Sequence, residues 1–521
     1  MARAQGPVER LIRTRVTEHP DATWLKWQDE EFTWRDVLSY AQRAANGLLE
    51  LGVLPGERVA LMMSNRPEFV WVHLGALMIG AHSVPVNISQ RGVTLAHILA
   101  DSDATAVVFQ EDLREAVLGV RSQLPALRHL VAAGGPPGGC ADWDVQRLLA
   151  SQDAEPDVEL AEPTGGVGLM YTSGTTGPPK GVAAANYDLE PLITLLAATG
   201  VRPGETMYTG LPLFHGNALL VSMIGSMFID AKLALAPKFS ASRFFDDCRR
   251  YEAVEFNTLG GMISILLKQP PRPDDREHQV RVVLSAGCPP DRWREFEERF
   301  GIRIIEWFGM VDSPGILLND AGKVGSMGRS GVCGVEFQVT GQDGAALGPG
   351  QVGELVFRHP KGPMTYYHKL PEATEAAYRG GWFHSGDLAT YDHDGFFYYR
   401  GRRKESMRRL GENISAWEIE TVVNSHPRVL DSAAHAVKSE LGEDEVKICV
   451  VPRPGENPTP EEILDFCTGR MAHYAVPRYV EFLEALPKTA TERNQYAALR
   501  SRGLTAGTWD REQAGYRLER A

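Results

Sequence analysis

The chain has 521 residues, 43% of them hydrophobic and 23% charged, and a formal net charge of −13 at pH 7. That length exceeds one ordinary core, so two or more domains are expected, and the composition is that of a soluble globular protein. The acidic balance argues against nucleic acid as a main partner.

The N-terminal residues are charged with no apolar run behind them, so no signal peptide is expected. Glu57–Met63 has the apolar run of a buried strand. Arg66–Ile79 and Thr94–Ala100 read as helices, Ser83–Asn87 and Ala104–Phe109 as further strands. This alternation predicts a parallel sheet covered by helices. Phe69–Val86 is the most apolar stretch, but His73, His82 and Pro85 interrupt it, so it reads as helix and strand and not as a membrane span. The segments 134–139 and 151–164 read as connecting loops. The cysteines (Cys140, Cys248, Cys288, Cys333, Cys449, Cys467) stand far apart, the pattern of reduced core thiols in a cytoplasmic protein.

Apolar Val167–Tyr171 then leads, strand-like, into Thr172, Ser173, Gly174, Thr175, Thr176 and Gly177, followed by Pro178, Pro179, Lys180 and Gly181. Small polar side chains cannot pack a core. They can wrap an anion, because glycines let backbone N–H groups converge, hydroxyls add donors and Lys180 adds a full charge. The guest this favours is a polyphosphate; the alternative is a flexible surface loop. The order of Lys180 and Gly181 is not that of a Walker A loop.

This stretch, YTSGTTGPPKGV, resembles the phosphate loop of the adenylate-forming superfamily of acyl-CoA synthetases, peptide-synthetase adenylation domains and luciferases. The resemblance covers nearly the whole chain. It implies two steps: a carboxylate and ATP give an acyl-adenylate and pyrophosphate, then a thiol takes the acyl group and releases AMP. Further along, LPLFHGNA presents His215 and Gly216 where the family has a residue between the carboxylate pocket and the CoA tunnel. Phe239–Phe245 is expected to open a helix with Ser240 as N-cap. Gly260, Gly261 and Met262 lie where family members line the acyl pocket; a simple turn is the alternative. Ser285, Ala286, Gly287, Cys288 and Pro289 resemble the family's adenine-side turn. Trp307 or Phe308, ahead of Gly309, is implied to stack on the other adenine face. Asp387, in GGWFHSGD, matches the aspartate that accepts both ribose hydroxyls, a pairing that suits a two-oxygen carboxylate. Arg402 matches the arginine that also reaches ribose. Lys404 sits at the family's hinge, Gly411 where a pantetheine arm passes.

Two places depart from the family. After the adenine strand the family carries Tyr-Gly-x-Thr-Glu, and here Val311 replaces a hydroxyl that bonds the α-phosphate. Losing one such bond to a charged group costs about 1.5–3 kcal/mol. Asp312 stands in for the Mg²⁺-holding glutamate, one methylene shorter, with Thr176 the other implied metal contact. Near the C-terminus, LPKTATERNQ puts Glu492 and Arg493 where the family has glycine and the adenylating lysine. Arginine keeps the charge on a bulkier planar fork.

The resemblance implies an α/β fold. A large N-terminal domain (1–403) has parallel sheets flanked by helices plus a distorted β-barrel, and a small mobile α+β lid (404–521) follows a hinge at Lys404. It implies acyl-CoA formation from a hydrophobic acid, in a pocket with room for a bulky one, using ATP or acyl-AMP, CoA and, with ATP, Mg²⁺. The departures point to a chain impaired in adenylation and specialised for moving an acyl group from acyl-AMP to CoA, fed by a second adenylating ligase. Three alternatives stay open: a complete ligase in which Arg493 works, an enzyme loading a carrier-protein thiol, and a non-catalytic nucleotide or acyl-adenylate sensor. LPLFHGNA and GENIS are most similar to carnitine- or crotonobetaine-type CoA ligases. The tail after Gly503, poor in apolar residues, is expected to be weakly ordered.

Overall fold

The computed structural model describes residues 5–134, 142–160, 168–172, 178–184, 189–259, 261–402, 406–439, 443–487 and 494–518. Two parallel sheets carry the N-terminal part. In the first, Arg58–Met62 lies between His82–Pro85 and Ala104–Gln110, followed by His129–Ala133 and Trp143–Asp144. The second runs through Lys232–Leu235, Thr206–Thr209, Ala253–Leu259, Val282–Ala286 and Arg303–Met310. Helix Pro67–Met78 is buried on every side, as a helix apolar all round must be. A Cβ at Gly75 would lie 2.7 Å from that of Ala44, so the neighbouring helix Trp34–Leu51 approaches at glycine distance.

Beyond Arg303–Met310 the second sheet turns antiparallel, through Ser313–Asn319, Gly328–Arg329, Phe396–Arg402, Trp382–Tyr391, Gly353–Arg358 and Glu336–Thr340. Six strand steps separate Arg303–Met310 from Glu336–Thr340; laid flat, they would stand roughly 29 Å apart at about 4.8 Å per step. Yet Phe308 and Phe337 have ring centroids 6.5 Å apart. The antiparallel strands therefore curl around one aromatic core that includes Phe337, Phe357, Phe383 and Phe397. A separate three-stranded sheet, Thr365–Tyr367, Lys180–Ala184 and Met170–Thr172, holds both ends of the glycine-rich loop.

The C-terminal part has its own core. Sheet strands Val429–Lys438, Asp444–Pro452, Tyr479–Phe482 and Thr508–Asp510 pack with helices Ala416–Asn424 and Pro460–Cys467. The hairpin Ser406–Arg409/Glu412–Ser415 precedes them. The expected hinge, Lys404, lies outside the described residues.

Several expectations need correction. Ser240 caps no helix: that helix spans Phe244–Arg250 and its N-cap is Arg243. The strand expected over 83–87 is His82–Pro85. The tail is not loose, because Thr508–Asp510 adds a strand to the small-domain sheet and Arg478 holds Asp510 through two bonds of 3.1 and 3.0 Å. Edge pairing and one partly buried ion pair order a segment that its hydropathy does not. Of the five described cysteines, four are buried and all are free.

Candidate active site

The LPLFHG turn is anchored from a distance. Asn65 donates to the carbonyls of Leu211 and Ala236, both at 2.9 Å, and accepts from the Leu213 N–H at 2.8 Å. The turn delivers His215 to the cleft, with its ring edge-on to Phe214 at 4.8 Å. Its Nε2 stands 2.8 Å from Oε1 of Glu412, on the C-terminal hairpin. Gly216 is required here: a Cβ would meet the Val311 side chain at 2.7 Å. Thus the residue that lacks the expected hydroxyl packs against the His215 turn. From Asn217 the chain enters a π-helix, Asn217–Ile224, which the sequence reading did not foresee.

Strand Val282–Ala286 ends in a turn with Gly287 at φ 98°. Glu306, on the adjacent strand, accepts from the N–H of both Gly287 and Cys288. It is buried, and burial pushes its carboxyl up to about 8, against the pull of those N–H groups, Ser285 and Arg408. Sequence reasoning named the turn and missed this brace; an acidic residue inside an apolar strand was the available signal. Strand alternation separates the two aromatic candidates: Trp307 lines the cleft, while Phe308 faces the curled-sheet core. Trp307 lies across Gly309, where a Cβ would be 2.6 Å from its ring. Asp387 is buried and sits opposite Arg402 in the strand register; nothing is described of the Arg402 side chain.

At the glycine-rich loop, Thr172 donates to Asp312 at 3.2 Å, and Tyr367 donates to the same carboxylate oxygen at 2.8 Å. Lys180 lies 4.7 Å from the Tyr367 ring centre. Ser173, Gly174, Thr175, Thr176, Gly260, Glu492 and Arg493 fall outside the described residues. Gly261 and Met262 are off the cleft: Met262 is in the large core and the Gly261 N–H donates to Glu443 at 3.1 Å. Leu259 lines the cleft from that element.

These groups surround one cavity of about 510 Å³ with walls from both parts of the chain. The C-terminal hairpin forms one wall through Arg408, Gly411 and Glu412. Its two-residue tip is left-handed, with Leu410 at φ 55° and Gly411 at φ 79°. Glu443 holds this tip to the large domain, since its carboxylate accepts from the N–H of Leu410 as well as that of Gly261. Glu418 and Tyr474 complete the wall. The Glu418 carboxyl is pushed up to about 7 by burial and by nearby Glu412, against bonds from the Ala472 N–H and Thr94.

Family models for the AMP-binding enzyme and the AMP-binding enzyme C-terminal domain match residues 12–368 and 418–493. The chain is an AMP-binding enzyme. It is 30% identical over 476 residues to the crotonobetaine/carnitine–CoA ligase of Salmonella arizonae, covering 89% of this chain and 92% of that one. Among solved structures, the anthranilate CoA ligase AuaEII in complex with anthranoyl-AMP is 25% identical, covering 96% of this chain and 98% of that one, with a TM-score of 0.71. A double mutant of o-succinylbenzoate CoA synthetase from Bacillus subtilis, bound with its product analogue OSB-NCoA, gives a TM-score of 0.79 at 23% identity, covering 95% and 98%. The same synthetase in complex with AMP gives 0.65 at 24% identity, covering 94% and 98%.

This AMP-binding enzyme is an acid–thiol ligase of the acyl-CoA synthetase type, a class that uses ATP, CoA and Mg²⁺. Its cavity can hold such a metal in the manner magnesium favours, on one carboxylate with phosphate oxygens and water completing the shell. Asp312, fixed by Thr172 and Tyr367, is the carboxylate in place.

Proposed function

We propose that this enzyme is specialised for the second half of its family's reaction: transfer of an acyl group from an acyl-adenylate to CoA, with little adenylation of its own. The observation that carries this reading is the C-terminal hairpin seated in the cleft with Glu412 on His215. By the family resemblance, that hairpin accompanies thiol transfer and the loop with the adenylating lysine accompanies the first step. No described residue of 483–500 lines the cavity. The higher structural likeness to the synthetase holding a CoA product analogue than to the same synthetase holding AMP supports this arrangement. The domain boundary at Lys404 is part of the proposal.

The parts that adenylation alone needs are the altered ones. Val311 offers a methyl packed on Gly216 in place of a hydroxyl, and Arg493 and Glu492 replace lysine and glycine. Asp387, Arg402 and the 285–289 turn, assigned to the adenosine, are kept. His215 with Glu412 is assigned to opening the thiol path, and Gly411 to letting pantetheine past. The supply of adenylate then falls to a second ligase. Transfer itself asks little acid–base help, because AMP is a good leaving group and holding the thiol in line supplies much of the rate. A complete ligase is the second reading, favoured by the intact ends of the phosphate loop, with Lys180 and Asp312 on the cavity wall.

The test offers carboxylic acids in two forms: free acid with ATP, Mg²⁺ and CoA, and synthetic acyl-adenylate with CoA. Acyl-CoA is read by mass spectrometry. Thioester from adenylates, with free acids slower by about 100-fold or more, is the expected result. Equal rates would establish the complete ligase.

A further inference from the structure

One lobe of the cavity is apolar. Leu192, Leu195, Val221 and Ile316 line it and belong to a single buried cluster. The charged side chains on the described cavity wall come from the phosphate-loop hairpin, the 311–312 turn and the C-terminal domain; none comes from the π-helix or from helix Glu190–Ala197. Two buried donors interrupt this wall. Asn217, at the first position of the π-helix, is 9% exposed, and its Nδ2 has no partner among the described residues. Trp307, packed against the same cluster, has an indole Nε1 that is also unpartnered among them.

The Asn217 amide is held in place. Asn257, on the neighbouring strand, donates to Asn217 Oδ1 and to Ser222 Oγ, both at 2.8 Å. Ser222 lies on the π-helix too, so the strand holds the asparagine by its oxygen and leaves the N–H₂ end uncommitted. Trp307 fixes the sense of what is missing, because an indole N–H can only donate. Leaving a buried donor unpaired carries a real desolvation cost, and an apolar side chain at either position would avoid it. Two such donors on one apolar lobe make sense when a ligand supplies the acceptor.

Resting on the acyl-CoA ligase reading above, we propose that the acyl group is uncharged beyond its carboxylate and carries a hydrogen-bond-accepting oxygen, such as a ketone, within an otherwise hydrocarbon body. Asn217 and Trp307 are the residues that select it. The lobe suits a fixed cation poorly. Among the described residues it offers no carboxylate, and the positive ends of two N–H dipoles sit where a quaternary ammonium would need negative charge or several aromatic faces. By this argument the substrate differs from the betaine that names the Salmonella relative. A site built to pair an oxygen rejects the analogue that lacks it, because its donors are then buried without partners.

The test uses non-hydrolysable acyl-sulfamoyl adenosines of equal chain length, with binding measured by isothermal titration calorimetry. One member is a plain hydrocarbon, a set moves a single ketone along the chain, and one ends in trimethylammonium. The expected result is one ketone position that binds about 10-fold tighter than the hydrocarbon. Asn217→Leu should erase most of that preference while keeping hydrocarbon binding. Trp307→Phe, a gentler change that removes only the N–H edge, should reduce it. No ketone preference, a preference that survives both substitutions, or tightest binding of the trimethylammonium ligand would overturn the proposal while the ligase reading stands. A chain that binds no member of the series overturns both.

Discussion

Two loops of the same small domain meet different fates. The hairpin 406–415 reaches across to the large domain. Glu412 bonds His215, Glu443 ties the hairpin tip to Gly261, and Arg408 comes close enough to Glu306 to act on its carboxyl. The segment that carries Arg493 starts and ends on its own domain: the Gln495 N–H donates to the Pro487 carbonyl, and Leu486, Tyr496 and Leu499 pack on the small-domain sheet. The loop whose sequence keeps the family pattern is the one in the cleft. The described residues on either side of the loop whose sequence departs from it pack on the small domain and line no part of the cleft.

The largest expected effect comes from putting back the residues that the family pattern carries. Arg493→Lys with Glu492→Gly should raise ATP–pyrophosphate exchange by about 100-fold, since a preorganised compact charge at a reacting phosphate is worth that much. No gain would move the defect to Val311 and Asp312, or show that adenylation was never impaired. Next is the hairpin. Glu412→Ala removes a bond of 2.8 Å to His215 and should slow thioester formation from supplied adenylate by about 10-fold or more. An unchanged transfer rate would detach the hairpin from that step.

The smallest effect is a pH dependence of domain docking. Glu418, on the small domain, has its carboxyl raised to about 7 by burial and by Glu412. A raised carboxyl favours the docked state as the neutral acid. Its contribution is full below the ordinary carboxylate range and is lost as pH rises through about 7. Protease sensitivity of the inter-domain segment should therefore increase between about pH 4.5 and 7 and level off above that, and Glu418→Gln should flatten that profile. A profile identical in the variant would remove Glu418 from the docking equilibrium.

Glu412, Glu418 and Asn217 were invisible to the sequence reading for one reason: their meaning depends on partners far along the chain. Glu412 and His215 are separated by 197 positions, and the hairpin that joins them is polar and ordinary when read alone. Asn217 acquires its role from Asn257 and from a π-helix that no periodicity announced. Ser240 has the chemistry of a helix cap, yet the chain turns three residues further before the helix starts at Phe244.

What the amino-acid order determined by itself is what depends on local spacing. The buried strands, the helix of unbroken apolar residues, the polar loop able to wrap a phosphate and the motifs that place the chain in its family are all of this kind. Tertiary structure decided the rest. It separated Trp307 from Phe308 by strand alternation, curled the antiparallel strands until Phe308 met Phe337, and drew the tail into the small-domain sheet. It also brought a carboxylate of one domain onto a histidine of the other. Burial, register and pairing across hundreds of residues are set by the collapsed chain as a whole, because hydrogen bonding and desolvation act between neighbours in space, whatever their distance in sequence.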